Sequence, residues 1–234
     1  MSDGYDAMVL AAHPDDAELC CGGTILRMLG EGKRVALVDM TRGEKGTLGD
    51  PETRTAECAD ATQSLGVQER VNLELPDGEL QDDLPTRKAI VEQIRRLRPK
   101  LLFAPHPIDI HPDHAATGSS ARQAFFCAGL AKFDPQLGRA FRPAMLILFP
   151  GNDHVAPSFC VDISPFEDQK RAALECYASQ TQVEAPHFAK RLGPLERVTA
   201  RDRYFGAEIG CRAAEPFVVE GPLRVTDLSA LLEG

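Results

Sequence analysis

Lysine and arginine are scarce in this 234-residue sequence compared with acidic residues. The chain carries 26 Lys and Arg against 35 Asp and Glu, which gives a formal net charge of −9 at pH 7. Binding to nucleic acid without sequence specificity needs clustered basic side chains, so this composition argues against a nucleic-acid partner. The sequence also lacks any apolar run near the roughly 20 residues that a membrane-spanning helix requires. We therefore expect neither a nucleic acid nor a membrane as a partner.

Cysteine pairs with the spacing of a metal or redox motif are also missing. The chain has seven cysteines, an odd number, and none of them forms a CxxC pair. The first seven residues, MSDGYDA, are acidic and do not have the pattern of a signal peptide. Reduced thiols in a cytosolic protein explain these features better than a disulfide framework does. We expect a cytoplasmic location.

What the sequence does contain is a regular alternation of short apolar runs and helical patterns. The runs predict four strands, at residues 5–12, 34–40, 71–75 and 100–104. Helices are predicted between them, at residues 24–34, 53–65 and 85–98. Because the strands are continuously apolar, they favour an α/β fold in which a mostly parallel sheet has helices on both faces.

The last third of the sequence is less regular. It predicts strands at residues 144–149 and 159–163 and helices at residues 169–177 and 195–206, whereas residues 180–194 have the pattern of a long surface loop. There is no internal repeat and no convincing linker. We therefore predict a single domain over residues 1–234. Its core spans about residues 1–130, and about residues 140–234 elaborate the edge of the sheet that binds the ligand.

Two polar loops follow predicted strands. His13-Pro14-Asp15-Asp16 ends the first strand, and the decapeptide PHPIDIHPDH, residues 105–114, ends the fourth. The first loop alone has a simple structural explanation, a turn in which an aspartate caps the next helix. The second loop adds His111, Asp113 and His114, and in parallel sheets the carboxyl ends of the strands share the edge where ligands bind. Together the loops predict a functional site.

These residue types suit a hydrolytic metal site. Two neutral histidines and one carboxylate form a common ligand set for Zn²⁺ that leaves a position open, and Fe²⁺ accepts the same donors. Zinc lowers the pKa of water, and a neighbouring carboxylate can take the proton. A further histidine can steady developing charge, and a further aspartate can orient a histidine. Chemistry alone leaves the roles of the three aspartates open, and His106 is a rival ligand.

At this point the sequence resembles a known family, the LmbE-like or PIG-L-type N-acetylglucosaminyl deacetylases. The resemblance rests on AHPDDAELCCGGTI near the start and on HPDH in the middle. Four further stretches extend it over most of the chain, at residues 54–57, 161–164 (VDIS), 177–180 (YASQ) and 205–210 (FGAEIG). Among the subfamilies, the sequence is most similar to the bacillithiol-pathway deacetylases that act on N-acetylglucosaminyl malate.

The resemblance implies a Rossmann-like sheet and a zinc-dependent amide hydrolase whose substrate is a small N-acetylated amino-sugar conjugate. It implies specific roles for the residues of the two loops: metal ligands His13, Asp16 and His114, general base Asp15, and oxyanion or acid residue His111 with Asp113 behind it. It further implies a homo-oligomer, a trimer or a hexamer.

The resemblance also implies that Arg54 contacts the substrate, where its guanidinium would suit a malate carboxylate. The alternative for Arg54 is an ion pair with Glu52 or Glu57 on a solvated helix. The chain departs from close relatives at Ile110, where they carry arginine, and at Pro194, where some carry a tyrosine. These two departures concern the exact substrate and leave the metal chemistry intact.

Two other functions stay open from the sequence. One is a deacetylase or amidase of the same family that acts on another N-acyl sugar or on a thiol conjugate. The other is a non-catalytic sugar- or nucleotide-binding domain. Such a domain would bind its ligand without metal and would release no amine.

Overall fold

A computed structural model describes residues 4–46, 48–181 and 192–224. Within those residues the main sheet has five parallel strands in the order β3-β2-β1-β4-β5. Their bounds are β1 Ala7–Ala11, β2 Val35–Thr41, β3 Glu69–Leu75, β4 Leu101–Pro105 and β5 Met145–Phe149. A separate antiparallel pair consists of β6 Phe159–Asp162 and β7 Ala214–Phe217. The sequence prediction of an α/β fold with a mostly parallel sheet is confirmed.

Helices follow the strands of the main sheet. In the described part of the chain they are α1 Asp16–Gly30, α2 Pro51–Leu65, α3 Leu84–Leu97, α4 Pro112–Ala128, α5 Glu167–Glu175, α6 Ala178–Thr181 and α7 Pro194–Glu208. None of these helices is both long enough and apolar enough to cross a membrane.

Each face of the sheet carries its own hydrophobic core. In β1 the side chains alternate, so that Val9 packs with α1 and α5 on one face while Met8 and Leu10 pack with α3 and α4 on the other. All five residues of β1 are buried, as expected for the central strand of a sheet covered on both sides. The predicted apolar face of α3 is confirmed, because Ile90, Val91, Ile94 and Leu97 are all buried.

Two helices differ from the sequence prediction. α1 begins at Asp16 rather than near Thr24, so Gly22 and Gly23 lie inside the helix. A Cβ at Gly23 would lie 2.6 Å from the Cβ of Ile163, so the missing side chain allows close packing there. α4 was not predicted because it packs through small residues such as Ala121 and Ala124, which leave no periodic pattern of large apolar side chains.

A buried polar cluster attaches the last third of the chain to α1. The Glu215 carboxylate accepts hydrogen bonds from the backbone N–H groups of Gly23 and Thr24, at 2.9 and 2.8 Å. Lys170 Nζ donates to Glu215 at 2.7 Å and to Asp202 at 2.5 Å. Burial opposes the charge on Lys170, but the two carboxylates outweigh it and raise the pKa of its ammonium group. The cluster therefore fixes α5, α7 and β7 against the core.

The rest of the last third agrees in part with the prediction. β5, β6, α5 and α7 lie near the predicted positions, whereas β7 was missed. The predicted loop at 180–194 falls mainly on residues 182–191, which lie outside the described residues. Pro194, the position where some relatives carry a tyrosine, is the first residue of α7.

Candidate active site

The two polar loops meet at one edge of the sheet. β1 and β4 are neighbouring parallel strands, with Ala7 opposite Leu101, so the segments after their carboxyl ends lie side by side. α1 starts at Asp16 immediately after the first loop, and α4 starts at Pro112 within the second. The architecture thus brings together residues that lie about a hundred positions apart in the sequence, as expected when the carboxyl ends of parallel strands share one edge.

Asp16 lies between two imidazoles. Its Oδ2 is 3.4 Å from Nδ1 of His13, and its Oδ1 is 3.3 Å from Nε2 of His114. All three residues are buried. His111 completes a cluster of three histidines in which one ring nitrogen from each lies within 4.8 Å of the others.

The donor set suits a tetrahedral metal ion. With bonds of about 2.0–2.1 Å, neighbouring donors of a tetrahedral zinc site lie about 3.3–3.4 Å apart. The two separations between Asp16 and the imidazoles are of that size, but they start from different oxygens of the carboxylate, Oδ2 toward His13 and Oδ1 toward His114. The residues are imidazoles and a carboxylate, which bind Zn²⁺ and Fe²⁺ alike, so the arrangement fits a metal without selecting between them.

For His13 and His114, the ring nitrogen that faces away from Asp16 also lies close to a carboxylate. Nε2 of His13 lies 3.1 Å from Asp113 and 3.2 Å from Asp77. Nδ1 of His114 lies 3.2 Å from Asp109. Such carboxylates fix the tautomer and orientation of a ligating histidine.

The position of Asp113 differs from what the resemblance implied. Its carboxylate contacts His13 and accepts the backbone N–H groups of Gly78 and Leu80. Its contact with His111 does not involve the carboxylate: the backbone N–H of Asp113 donates to Nδ1 of His111 at 3.3 Å. In this geometry the carboxylate of Asp113 is therefore placed to orient the ring of His13, and not that of His111.

The carboxylates control the protonation of the histidines. Burial by itself lowers the pKa of His13, but hydrogen bonds to Asp113, Asp16 and Asp77 outweigh it and raise the pKa to about 12. For His114, burial is likewise outweighed, here by the charge of Asp16 and the hydrogen bond to Asp109, and its pKa rises to about 10. The pKa of His111 is lowered by burial and by the two neighbouring imidazoles.

Asp15 has an unusual backbone and an unusual carboxyl group. Its φ is 117°, a conformation that costs free energy for a residue with a side chain and that often marks functional sites. Burial raises the pKa of its carboxyl to about 7, although the positive charges of Arg54 and His13 oppose the increase. A carboxylate with a pKa near neutrality is suited to general base catalysis.

Arg54 lies behind Asp15. Its guanidinium donates from Nη2 to the carbonyl oxygen of Pro14 at 2.7 Å, and Nη1 lies 3.5 Å from the carboxylate of Asp15. Among the described residues Arg54 pairs with neither Glu52 nor Glu57, the alternative that the sequence left open; the Glu57 carboxylate accepts two hydrogen bonds from Ser179 instead. Arg54 is 4% exposed and is not among the residues that line the cavity described below. Its predicted contact with the substrate stays a prediction.

Sequence reasoning gave no role to Asp77 and Asp109. Asp77 lies in a Pro-Asp-Gly sequence typical of a turn, and it follows β3, whose carboxyl end lies at the same edge of the sheet. Asp109 stands five residues before His114 in the same loop and lies against its ring. The rival ligand His106 does not belong to the histidine cluster found among the described residues, and its Nδ1 accepts the N–H of Ile108 instead.

A cavity of about 430 Å³ opens from this cluster. Its lining includes Asp15, Asp16 and His114, residues 150–155 after β5, and several residues of α7. The volume is in the range of small-molecule sites. The arrangement can bind a small ligand next to the imidazole and carboxylate cluster.

Comparison with known proteins defines the class of this protein. The sequence profile of the PIG-L family, described as GlcNAc-PI de-N-acetylase, matches residues 8–125, just over half of the chain. The chain belongs to this family, whose deacetylases are metal-dependent, as the resemblance implied.

Three relatives place the chain within that class. Among solved structures, the conserved protein TT1542 from Thermus thermophilus is 43% identical, with a TM-score of 0.87 over 95% of this chain and 97% of the other. The diacetylchitobiose deacetylase of Thermococcus kodakarensis is 30% identical over 76% of this chain and 71% of its own length. A probable N-acetyl-α-D-glucosaminyl L-malate deacetylase 2 of Bacillus anthracis is 27% identical over 84% of this chain and 88% of its own.

Proposed function

We propose that this protein hydrolyses the acetamide of N-acetylglucosaminyl malate to glucosaminyl malate and acetate, in bacillithiol biosynthesis. The observation that carries the proposal is the convergence of two imidazoles on the Asp16 carboxylate next to Asp15, at the floor of a cavity of about 430 Å³. Similarity over 84% of the chain to a relative named for that activity supports the choice of substrate.

In this proposal His13, Asp16 and His114 hold the metal, Zn²⁺ or Fe²⁺. Asp113 and Asp109 support the outer nitrogens of the two histidines and keep their rings directed at Asp16. When bound, the metal supplies Lewis-acid chemistry, which polarises the acetamide carbonyl and makes water more acidic.

Asp15 is the general base. Its carboxylate lines the cavity beside Asp16. It takes a proton from the attacking water as the water oxygen forms a bond to the carbonyl carbon of the acetamide. The same carboxyl then returns the proton to the nitrogen of the departing glucosamine as the C–N bond breaks. After one turnover the Asp15 carboxylate is regenerated, and the reaction has consumed one water and formed one acetate and one amine.

His111 is proposed to stabilise the charge that develops on the acetamide oxygen. Its ring lies 4.7 Å, centroid to centroid, from that of His114. A hydrogen-bond donor already in place for an oxyanion needs no reorganisation during the reaction. Arg54 acts through Asp15 in this account, because it holds the Pro14 carbonyl behind the base.

A second candidate is deacetylation of another N-acyl sugar. It is favoured by the 30% identity to a diacetylchitobiose deacetylase, whose named substrate is a neutral disaccharide. The reaction and the metal site would be unchanged, so substrate comparison separates the two candidates. The homo-oligomer, a trimer or hexamer, and the cytoplasmic location stay predictions.

Release of primary amine from N-acetylglucosaminyl malate tests the proposal, with zinc-loaded protein compared with the same sample after chelation. We expect fast release that disappears with the metal. Faster release from diacetylchitobiose would favour the second candidate. If neither substrate yields amine while the metal-free protein binds a sugar or a nucleotide tightly, the protein is a binding domain and the proposal is wrong.

A further inference from the structure

One face of α7 lines the cavity, to which Asp15, Asp16 and His114 also contribute. The lining residues of this helix are spaced by three or four positions, as expected for one helical face: Pro194, Arg197, Val198, Arg201 and Phe205. Two of them are arginines one turn apart. This face therefore presents positive charge to a cavity whose lining also includes the carboxylates of Asp15 and Asp16.

Arg201 is already fully engaged. Its guanidinium contacts the carboxylate of Asp202 at 3.0 Å, donates to the carbonyl oxygen of Leu19 at 2.6 Å and lies 3.7 Å from the sulfur of Cys20. The nearby carboxylate compensates its charge, and the bonds fix its position. Arg201 thus joins α7 to α1 and is not available to a ligand.

Arg197 is different. Among residues 4–46, 48–181 and 192–224, no carboxylate lies within 4.0 Å of its guanidinium, whereas its neighbour Arg201 has one. Arg197 lines the cavity and is exposed. A guanidinium in this position can bind a carboxylate with paired, charge-assisted hydrogen bonds.

The arginine that the sequence predicted to bind the substrate, Arg54, is not among the residues that line the cavity. Arg54 is buried behind Asp15 and engaged with Pro14, and the position before the HPDH motif is Ile110, which has no charge. Among the lining residues 150–155, Asp153 adds negative charge and would repel an anion. An anionic substituent is therefore favoured on the α7 side of the cavity.

We propose that Arg197 is a specificity-determining residue that binds a carboxylate on the aglycone of the acetylated amino sugar. The inference rests on the proposed function, since the acetamide must lie near Asp15 and Asp16 for the aglycone to extend toward α7. It selects substrates with an anionic aglycone over neutral ones.

The test compares N-acetylglucosaminyl malate with its dimethyl ester, which differs only in charge and two methyl groups. In the zinc-loaded enzyme, Arg197→Gln is expected to lower kcat/KM for the diacid by about 10- to 100-fold, as for loss of a hydrogen bond to a charged group. The same variant should leave the diester nearly unchanged. Arg203→Gln is the matched control, because that arginine lies on α7 but pairs with Glu167 and does not line the cavity.

Calorimetric binding of the diacid and the diester to the same proteins gives a readout that needs no turnover. We expect Arg197→Gln to weaken binding of the diacid alone, and Asp153→Asn to leave that binding unchanged or to strengthen it. Equal binding of diacid and diester by the unaltered protein, or equal losses for both in Arg197→Gln, would overturn the inference. Absence of amine release with charge-selective binding intact would instead contradict the proposed function.

Discussion

At the scale of the residue, two imidazoles of the site, those of His13 and His114, have carboxylates on both ring nitrogens. His13 contacts Asp16 through Nδ1 and Asp113 through Nε2, and His114 contacts Asp16 and Asp109 in the same manner. In the absence of metal these carboxylates stabilise the protonated imidazoles. Metal binding and proton binding therefore compete for the same nitrogens.

Zinc binding is expected to release protons. Because the pKa of His13 is raised to about 12 and that of His114 to about 10, both imidazoles carry a proton at pH 7 in the metal-free protein. Zinc must displace about two protons, so its affinity should fall as pH falls. Calorimetric titration in buffers of different ionisation enthalpy measures the number of protons released per zinc ion bound. His111→Asn should leave it unchanged, because the lowered pKa of His111 keeps that ring neutral; zinc binding without proton release would contradict the account.

Kinetic measurements on Arg54→Gln distinguish two roles for this arginine. If it acts through Asp15, Arg54→Gln should lower kcat by about tenfold, the effect of losing a charge-assisted hydrogen bond, with KM little changed. If it contacts the substrate, as the resemblance implied, KM should rise instead. Steady-state kinetics with N-acetylglucosaminyl malate decides between them, and a rise in KM alone would contradict the positioning role.

At the scale of the element, the site depends on where strands end and helices begin. Asp15 turns the chain sharply between β1 and α1, and His111 precedes α4. The loop after β5 adds a third segment, which approaches the cluster at Gly151. A Cβ at Gly151 would collide with the carboxylate of Asp109 and lie 3.1 Å from Nδ1 of His114.

Gly151→Ala should therefore disturb the support of His114. We expect at least a tenfold loss, roughly, in amine release and weaker zinc binding, because the carboxylate that orients this imidazole must move. Gly30→Ala is the control, since a Cβ there makes only ordinary contacts with Phe166, at 3.8 Å or more. Equal activity of the two alanine variants would show that Asp109 is not needed in its present position.

The sequence predicted the elements that carry large apolar residues and missed those that do not. β1, β2, β4 and α3 were recognisable by continuous or periodic apolar residues. The start of α1 was missed because charged residues occupy its first turn: Asp16 lies in the site, and Glu18 is buried against Arg70 and Tyr177. Contacts such as that of Asp113 with His13 were not predictable from spacing, because they depend on side-chain directions across 100 positions of sequence.

At the scale of the whole molecule, two hydrophobic cores support a site that holds several like charges. The carboxylates of Asp16, Asp77, Asp109 and Asp113 surround two imidazoles. Since the cores form on the faces of the sheet and not at its edge, folding does not depend on the metal in the way that a small zinc domain does. The metal should nevertheless stabilise the fold.

Zinc at about a thousand times its dissociation constant should add about 4 kcal/mol to the free energy of unfolding. For a chain of this length that corresponds to an increase in Tm of about 8–16 °C. Thermal unfolding with and without zinc measures it. His13→Ala should abolish most of the increase; an equal increase in that variant would mean that zinc binds elsewhere.

The central claim is that the adjacent aspartates divide the work, with Asp16 binding the metal and Asp15 moving the proton. Asp15→Asn tests it most directly, with zinc content and acetate release from N-acetylglucosaminyl malate measured on the same sample. We predict a full complement of zinc and a rate lower by about 10²- to 10⁴-fold, the contribution of a general base. Near-full turnover in this variant, or loss of its zinc, would contradict the account.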